Sequence, residues 1–234
     1  MTGGLNTLLA ATLLFVGGHF LLSSRALRGP LARAFGPRWF TPAYSGAVGL
    51  AFVWMIAAYN RAPYVEVWPV LPALAWVPIV VMPVAIFLIV AGLSTPNPTM
   101  MGAERSTDIG GPGNPAQGII TVTRHPFLWG TALWAVSHVA VNGDLASLIM
   151  MGGIAVLSLG GMNHIDRRRE DSLGADWGPI KLTTSVIPFA AVASGRAKID
   201  WPGIGWWRPV AALAIYVLLL HVHGWVFGVG ALPM

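Results

Sequence analysis

The stretch Gly118-Ile-Ile-Thr-Val-Thr-Arg-His-Pro-Phe-Leu-Trp-Gly-Thr-Ala-Leu-Trp-Ala-Val-Ser-His-Val-Ala-Val-Asn-Gly-Asp144 decides how this chain folds. It begins in a polar loop, turns at Arg124-His125-Pro126, and continues as an apolar helix holding a second histidine, His138, before an Asn-Gly-Asp turn at 142–144. Proline suits a first helical position, because the N–H it lacks has no helical partner there. Ionisable groups at the mouth and inside of an apolar helix are costly in lipid and read as functional. The fold class therefore turns on whether this helix crosses a membrane.

Composition answers that question. Of 234 residues, 55% are hydrophobic and 10% charged, whereas soluble domains carry about 25% charged residues. The 28 glycines and 18 prolines are tolerated better in transmembrane helices than in soluble ones. Apolar runs occupy 5–22, 44–59, 70–93, 126–141, 145–162 and 209–230. A full span takes about 20 residues, so the second and fourth runs are expected to extend into their flanks. Pro72, Pro78 and Pro83 predict kinks in the third. The expected fold is an all-α integral membrane protein with about six transmembrane helices in a single domain, residues 1–234. No Lys or Arg precedes the first run, so it lacks the basic region of a secretory signal and is expected to be retained.

The charges orient the spans. Segment 23–43 carries Arg25, Arg28, Arg33 and Arg38 without an acid, segment 94–125 carries Arg105 and Arg124, and segment 163–208 carries seven more basic residues. Together they hold 13 of the 14 Lys and Arg, and Arg61 alone falls on the other side. Such asymmetry is expected to place those segments in the cytoplasm and both termini outside. The net charge of +5 is thereby explained without nucleic acid. Two cytoplasmic segments are long: a Pro/Gly-rich loop at 94–118, and 163–208, in which 163–171 extends the fifth helix and 186–192 is an interfacial or re-entrant piece.

Absence of cysteine excludes disulfides, thiolate metal ligands and cysteine nucleophiles. Six histidines remain. His19 follows Gly17-Gly18, where a flat group or a second backbone can approach, although a helix–helix hydrogen bond is the plainer reading. His125, beside Arg124, suits either an anion site at a helix N-terminus or an interfacial cap. His138 is thirteen residues further on, about 140° round the helix from His125, so the two are not expected to share a metal. His164 lies at the cytoplasmic border. His221 and His223, about 200° apart, cannot share a face. No nucleophile elbow, zincin motif, P-loop or dinucleotide fingerprint occurs.

Gly18-His19-Phe20, Thr123-Arg124-His125-Pro126, Leu133-Trp134-Ala135 with Ser137-His138, and Asn142-Gly143-Asp144-Leu145 with Ser147-Leu148 resemble the NnrU domain family. That family includes the zeta-carotene isomerases and bacterial proteins linked to denitrification. The resemblance implies a membrane protein that binds haem b between two helices and isomerises the central cis bond of a lipophilic, carotenoid-like polyene. The iron acts when ferrous, and one axial ligand can be released on reduction. It implies His19 and His138 as axial ligands, with His125 and Arg124 also at the cofactor site. A ligating imidazole has its other nitrogen held by a partner, and Ser137 or a backbone carbonyl suits that role. His19 lies near the cytoplasmic end of its helix and His138 deep in its own. They meet if the first helix continues past Ser24 or if the helices tilt; otherwise His19 pairs with His125. A non-catalytic haem or nitric-oxide sensor in nitrogen-oxide metabolism is a further implication of the same family.

A second resemblance is to membrane methyltransferases of the isoprenylcysteine and phospholipid type. It rests on Arg124-His125-Pro126 with Gly130, and on Arg169-Glu170-Asp171, Leu173-Gly174, Trp177 and Ile187-Pro188. It implies S-adenosylmethionine held by Arg124, His125 and the acidic pair. Leu128 stands where those enzymes usually have Tyr, and Asp171 replaces Glu. His19 and His138 have no role in that chemistry.

Overall fold

A computed structural model describes residues 3–100 and 116–232, so most of the expected 94–118 loop lies outside the described residues. Helices account for most of what is described: α1 (Gly3–Leu22), α2 (Arg25–Phe35), α3 (Pro37–Tyr59), α4 (Trp76–Ser94), α5 (Pro126–Asn142), α6 (Leu145–Leu173), the short α7 (Trp177–Thr183), α8 (Ala190–Ala193) and α9 (Trp201–Ile204), and α10 (Trp207–Phe227). Five stretches are long and apolar enough to cross a bilayer: Gly4–Leu22, Arg38–Tyr59, Pro72–Ser94, Leu145–Thr183 and Trp207–Phe227. Their outer faces carry apolar side chains in the open, Leu50 at 74% and Val80 at 70% exposure among them. Water would penalise such a surface, whereas lipid does not. The chain is a multi-pass α-helical membrane protein. The remaining apolar helix, α5, has 17 residues; at about 1.5 Å each it falls short of a hydrocarbon core of about 30 Å.

The helices divide into two compact units, one formed by Met1–Leu74 with Ala135–Leu157 and the other by Ala75–Trp134 with Ser158–Met234. In the first unit, α1 buries Leu8, Ala11, Thr12 and Phe15. This i, i+3, i+4, i+7 spacing makes one stripe, packed along α3, which buries Ala51, Met55 and Ala58. The first helix does not continue past Ser24, as one route to a His19–His138 meeting required. It stops at Leu22. The Ser23 hydroxyl bonds the His19 carbonyl, and the Ser24 hydroxyl accepts Leu27 N–H at 3.3 Å as N-cap of α2. At the other end, the Asn142-Gly143-Asp144 turn receives the α3–α4 connection. Val67 and Trp68 N–H donate to Gly143 O at 2.8 and 3.2 Å, and Leu145 N–H to Val65 O at 2.8 Å. Gly143 has φ +66°, and a Cβ there would lie 2.6 Å from Trp68 O, so only glycine fits. Asp144 caps α6 by accepting Ser147 N–H at 3.0 Å.

In the second unit, α4 meets both α5 and α10. A Cβ on Gly92 would stand 2.7 Å from Phe127 N, and one on Gly130 would stand 2.6 Å from Ala85 O, so α4 and α5 touch backbone to backbone. Of the three prolines in the third apolar run, Pro72 lies in a 3₁₀ turn before α4, Pro78 in its first turn and Pro83 inside it. Pro83 cannot donate to the carbonyl of Ile79. The Tyr216 hydroxyl of α10 donates to that oxygen instead, at 3.0 Å. Arg208 is buried with no carboxylate partner among the described residues, donating to Ser94 O at 2.9 Å and Ile204 O at 2.6 Å at the C-termini of α4 and α9. The expected extension of the fifth helix through 163–171 is present in α6.

Candidate functional site

The Arg124-His125-Pro126 corner is built from the second unit. Pro126 opens α5, and Trp129 N–H donates to His125 O at 3.0 Å to close its first turn. Asn97 Nδ2 and Thr99 Oγ1 both donate to Arg124 O, at 3.2 and 2.8 Å, while Arg124 N–H donates to Ser185 O at 3.0 Å. The backbone of the corner is thus fixed from both flanking segments. The start of segment 186–192, expected to be interfacial or re-entrant, packs here too: Thr123 Oγ1 and Trp129 Nε1 each donate to Val186 O at 2.8 Å.

The side chains converge on Asp166 of α6. Arg124 Nε and Nη2 donate to Asp166 Oδ2 at 2.9 and 2.6 Å, a forked guanidinium–carboxylate pair. His125 Nε2–H donates to Asp166 Oδ1 at 2.8 Å. The imidazole is completely buried and its Nδ1 has no hydrogen-bond partner among the described residues. Burial pushes the His125 pKa below the ordinary histidine value and the Arg124 charge adds to this, while the bond to Asp166 and its charge oppose it. The corner that suits either an anion site or an interfacial cap therefore holds the protein's own carboxylate. Nothing in the sequence around Asp166 marks it as the partner of this corner. Its partners lie 41 and 42 residues away, and no local spacing announces that they meet.

His19 and His138 both belong to the first unit. His19 continues the buried stripe of α1 one turn beyond Phe15. Its Nδ1 is 3.0 Å from Phe15 O. A carbonyl only accepts, so Nδ1 carries the proton and the neutral ring keeps its lone pair on Nε2. Phe15 and Tyr44 stand edge-on to the ring, at 4.8 and 6.1 Å between centroids. Side chains added at Gly17 or Gly18 would meet nothing within 4 Å, so open space adjoins this part of α1. His138 lies three residues after the fully buried Ala135 on α5, its Nδ1 3.4 Å from the Ser137 hydroxyl. Each histidine thus has a polar neighbour at Nδ1, a carbonyl for one and a hydroxyl for the other.

A sequence profile of the NnrU protein family matches residues 7–231. The chain belongs to the NnrU family. Among similar proteins, the chloroplastic 15-cis-zeta-carotene isomerase of Arabidopsis thaliana is 38% identical over 79 residues, 34% of this chain and 22% of that one. The corresponding Zea mays protein is 34% identical over 82 residues, 35% of this chain and 22% of its own. The matched stretches thus span about a fifth of the length of these curated relatives. No solved structure matches.

Other ionisable residues of this NnrU protein fall elsewhere. Glu170, part of the acidic pair in the methyltransferase resemblance, accepts from Lys181 Nζ at 3.1 Å in an exposed pair. His223 lies within 2.8 Å of Val229 O just beyond the end of α10, a capping contact. His221 stands on the exposed face of the same helix.

Proposed function

We propose that this NnrU protein is a haem b protein of the bacterial inner membrane that isomerises a cis double bond in a lipophilic polyene of the zeta-carotene kind. It would cross the bilayer six times, with α5 as the short span and both termini on the non-cytoplasmic side. The observation that carries the proposal is the pair of histidines within one unit. His19 has its Nδ1 proton on a backbone carbonyl and His138 has its Nδ1 beside a hydroxyl, the preparation a metal-ligating imidazole requires. The donor set fits haem iron, which takes neutral imidazole and needs no thiolate.

Bound haem would supply a redox-switchable iron able to engage the polyene. The protein's own groups do the rest. His19 and His138 would hold the iron from α1 and α5, and the Phe15 carbonyl fixes the His19 tautomer. Gly17 and Gly18 leave room for a flat ring, and the surrounding apolar side chains exclude water. His125 is less suited to hold the iron, because its Nε2 is held by Asp166 and its ring is enclosed. Activity is tested by incubating 15-cis-zeta-carotene with the reduced, purified protein and separating isomers by chromatography. Conversion that is lost in His138→Ala supports the reading; no conversion of any cis-carotene by a haem-loaded protein overturns its enzymatic half.

A further inference from the structure

Helix α2 and the start of α3 are not used by the proposed chemistry, yet they are built in an unusual way. Segment 23–43 contains four arginines and no acid. Within α2, at about 100° per residue, Leu27, Leu31 and Phe35 share an arc about 80° wide. Arg33 lies about 160° from Leu31, and Arg28 lies on the border. The helix is about 16 Å long. It is joined to α1 by Ser23 and Ser24 and to α3 by Gly36 alone. Such short joints between two membrane-crossing helices hold α2 at the bilayer surface.

Its exposed side chains match that location. Phe35 is 58% and Trp39 64% exposed, with Arg33 and Arg38 exposed beside them. Arg38 stands over the Trp39 ring at 5.7 Å, and Arg28 over Phe40 at 5.3 Å. A charged face usually serves only to meet water. Here two large aromatic side chains are exposed in the same few turns, which water disfavours and the headgroup region favours. Guanidinium forks pair with phosphate oxygens in two-pronged fashion, and no carboxylate in the segment competes for them.

We infer that α2 and the first turn of α3 form a docking surface for the headgroups of anionic phospholipids. Phe35 and Trp39 enter the interface, and Arg33 and Arg38 hold the phosphates. Purified full-length protein is titrated with dioleoylphosphatidylglycerol and dioleoylphosphatidylcholine, and bound lipid is counted by native mass spectrometry. The wild type is expected to prefer the glycerol lipid. Arg33→Gln with Arg38→Gln should weaken that preference about 25-fold, at about fivefold per arginine, and Arg61→Gln should leave it unchanged. Either single variant should show its own fivefold step if the double variant does not fold. Equal binding of both lipids by the wild type overturns the inference. So does an undiminished preference in the variants, or displacement of the lipid by inorganic phosphate at equal concentration.

Discussion

Arg124, His125 and Asp166 illustrate why burial of charge demands a complete set. Arg124 and Asp166 are mostly buried and His125 entirely so. Desolvation of each ion is offset only by the other and by the hydrogen bonds around them. Asp166→Asn leaves the guanidinium without its counter-charge. Removing one member of a buried pair costs about 3–5 kcal/mol, and unfolding of the purified protein in detergent should show a loss of that order. An unchanged midpoint would mean that the pair is solvated and contributes little. Sequence marked Arg124 and His125, because polar residues at the mouth of an apolar helix stand out. It did not mark Asp166 as their partner. That acid sits within a mixed-charge run on α6, and such runs ordinarily face solvent. His19 and His138 were legible for the opposite reason: each is an ionisable group inside an apolar run, where a bland role is expensive.

Helices were read with their approximate limits because apolar runs of this length have few alternatives in lipid. Two features escaped that reading. The Ser23-Ser24 break has neither glycine nor proline, and hydroxyl capping alone ends one helix and starts the next. Helix α2 itself is amphipathic and short, so a search for uniformly apolar segments passes over it. Gly130 was noted only as a motif position, whereas in the folded chain it is where α5 lies against α4. Gly130→Ala would place a methyl group 2.6 Å from both Ala85 O and Ile89 Cγ1. Overpacking of this kind costs about 1–3 kcal/mol, with backbone as the obstructing atom. A lowered thermal midpoint for Gly130→Ala is expected. Gly152→Ala, where nothing lies within 4 Å, should melt like the wild type. Equal melting of all three would show that the α4–α5 contact is loose.

For the molecule as a whole, the proposed topology rests on the distribution of charge. Thirteen of fourteen basic residues fall in three of the inter-span segments, a bias that follows from the cost of moving Lys and Arg across a membrane. The lack of native cysteine allows a clean test. Lys198→Cys should react with a membrane-impermeant maleimide only after the cytoplasmic side is opened, and Arg61→Cys should react in intact cells. The reverse pattern would invert the orientation, and labelling of both from one side would remove a span. Helix α5, the sixth crossing under the proposed topology, is short and also carries His138, so the number of crossings bears directly on the proposal that His19 and His138 hold one ligand. The most direct measurement is the absorption spectrum of protein purified from haem-replete cells, for wild type, His19→Ala, His138→Ala and His221→Ala. The two-histidine assignment predicts a Soret band in the wild type, displaced or lost in His19→Ala and His138→Ala and intact in His221→Ala. A wild type without the band, or variants at positions 19 and 138 with an unchanged one, would contradict it.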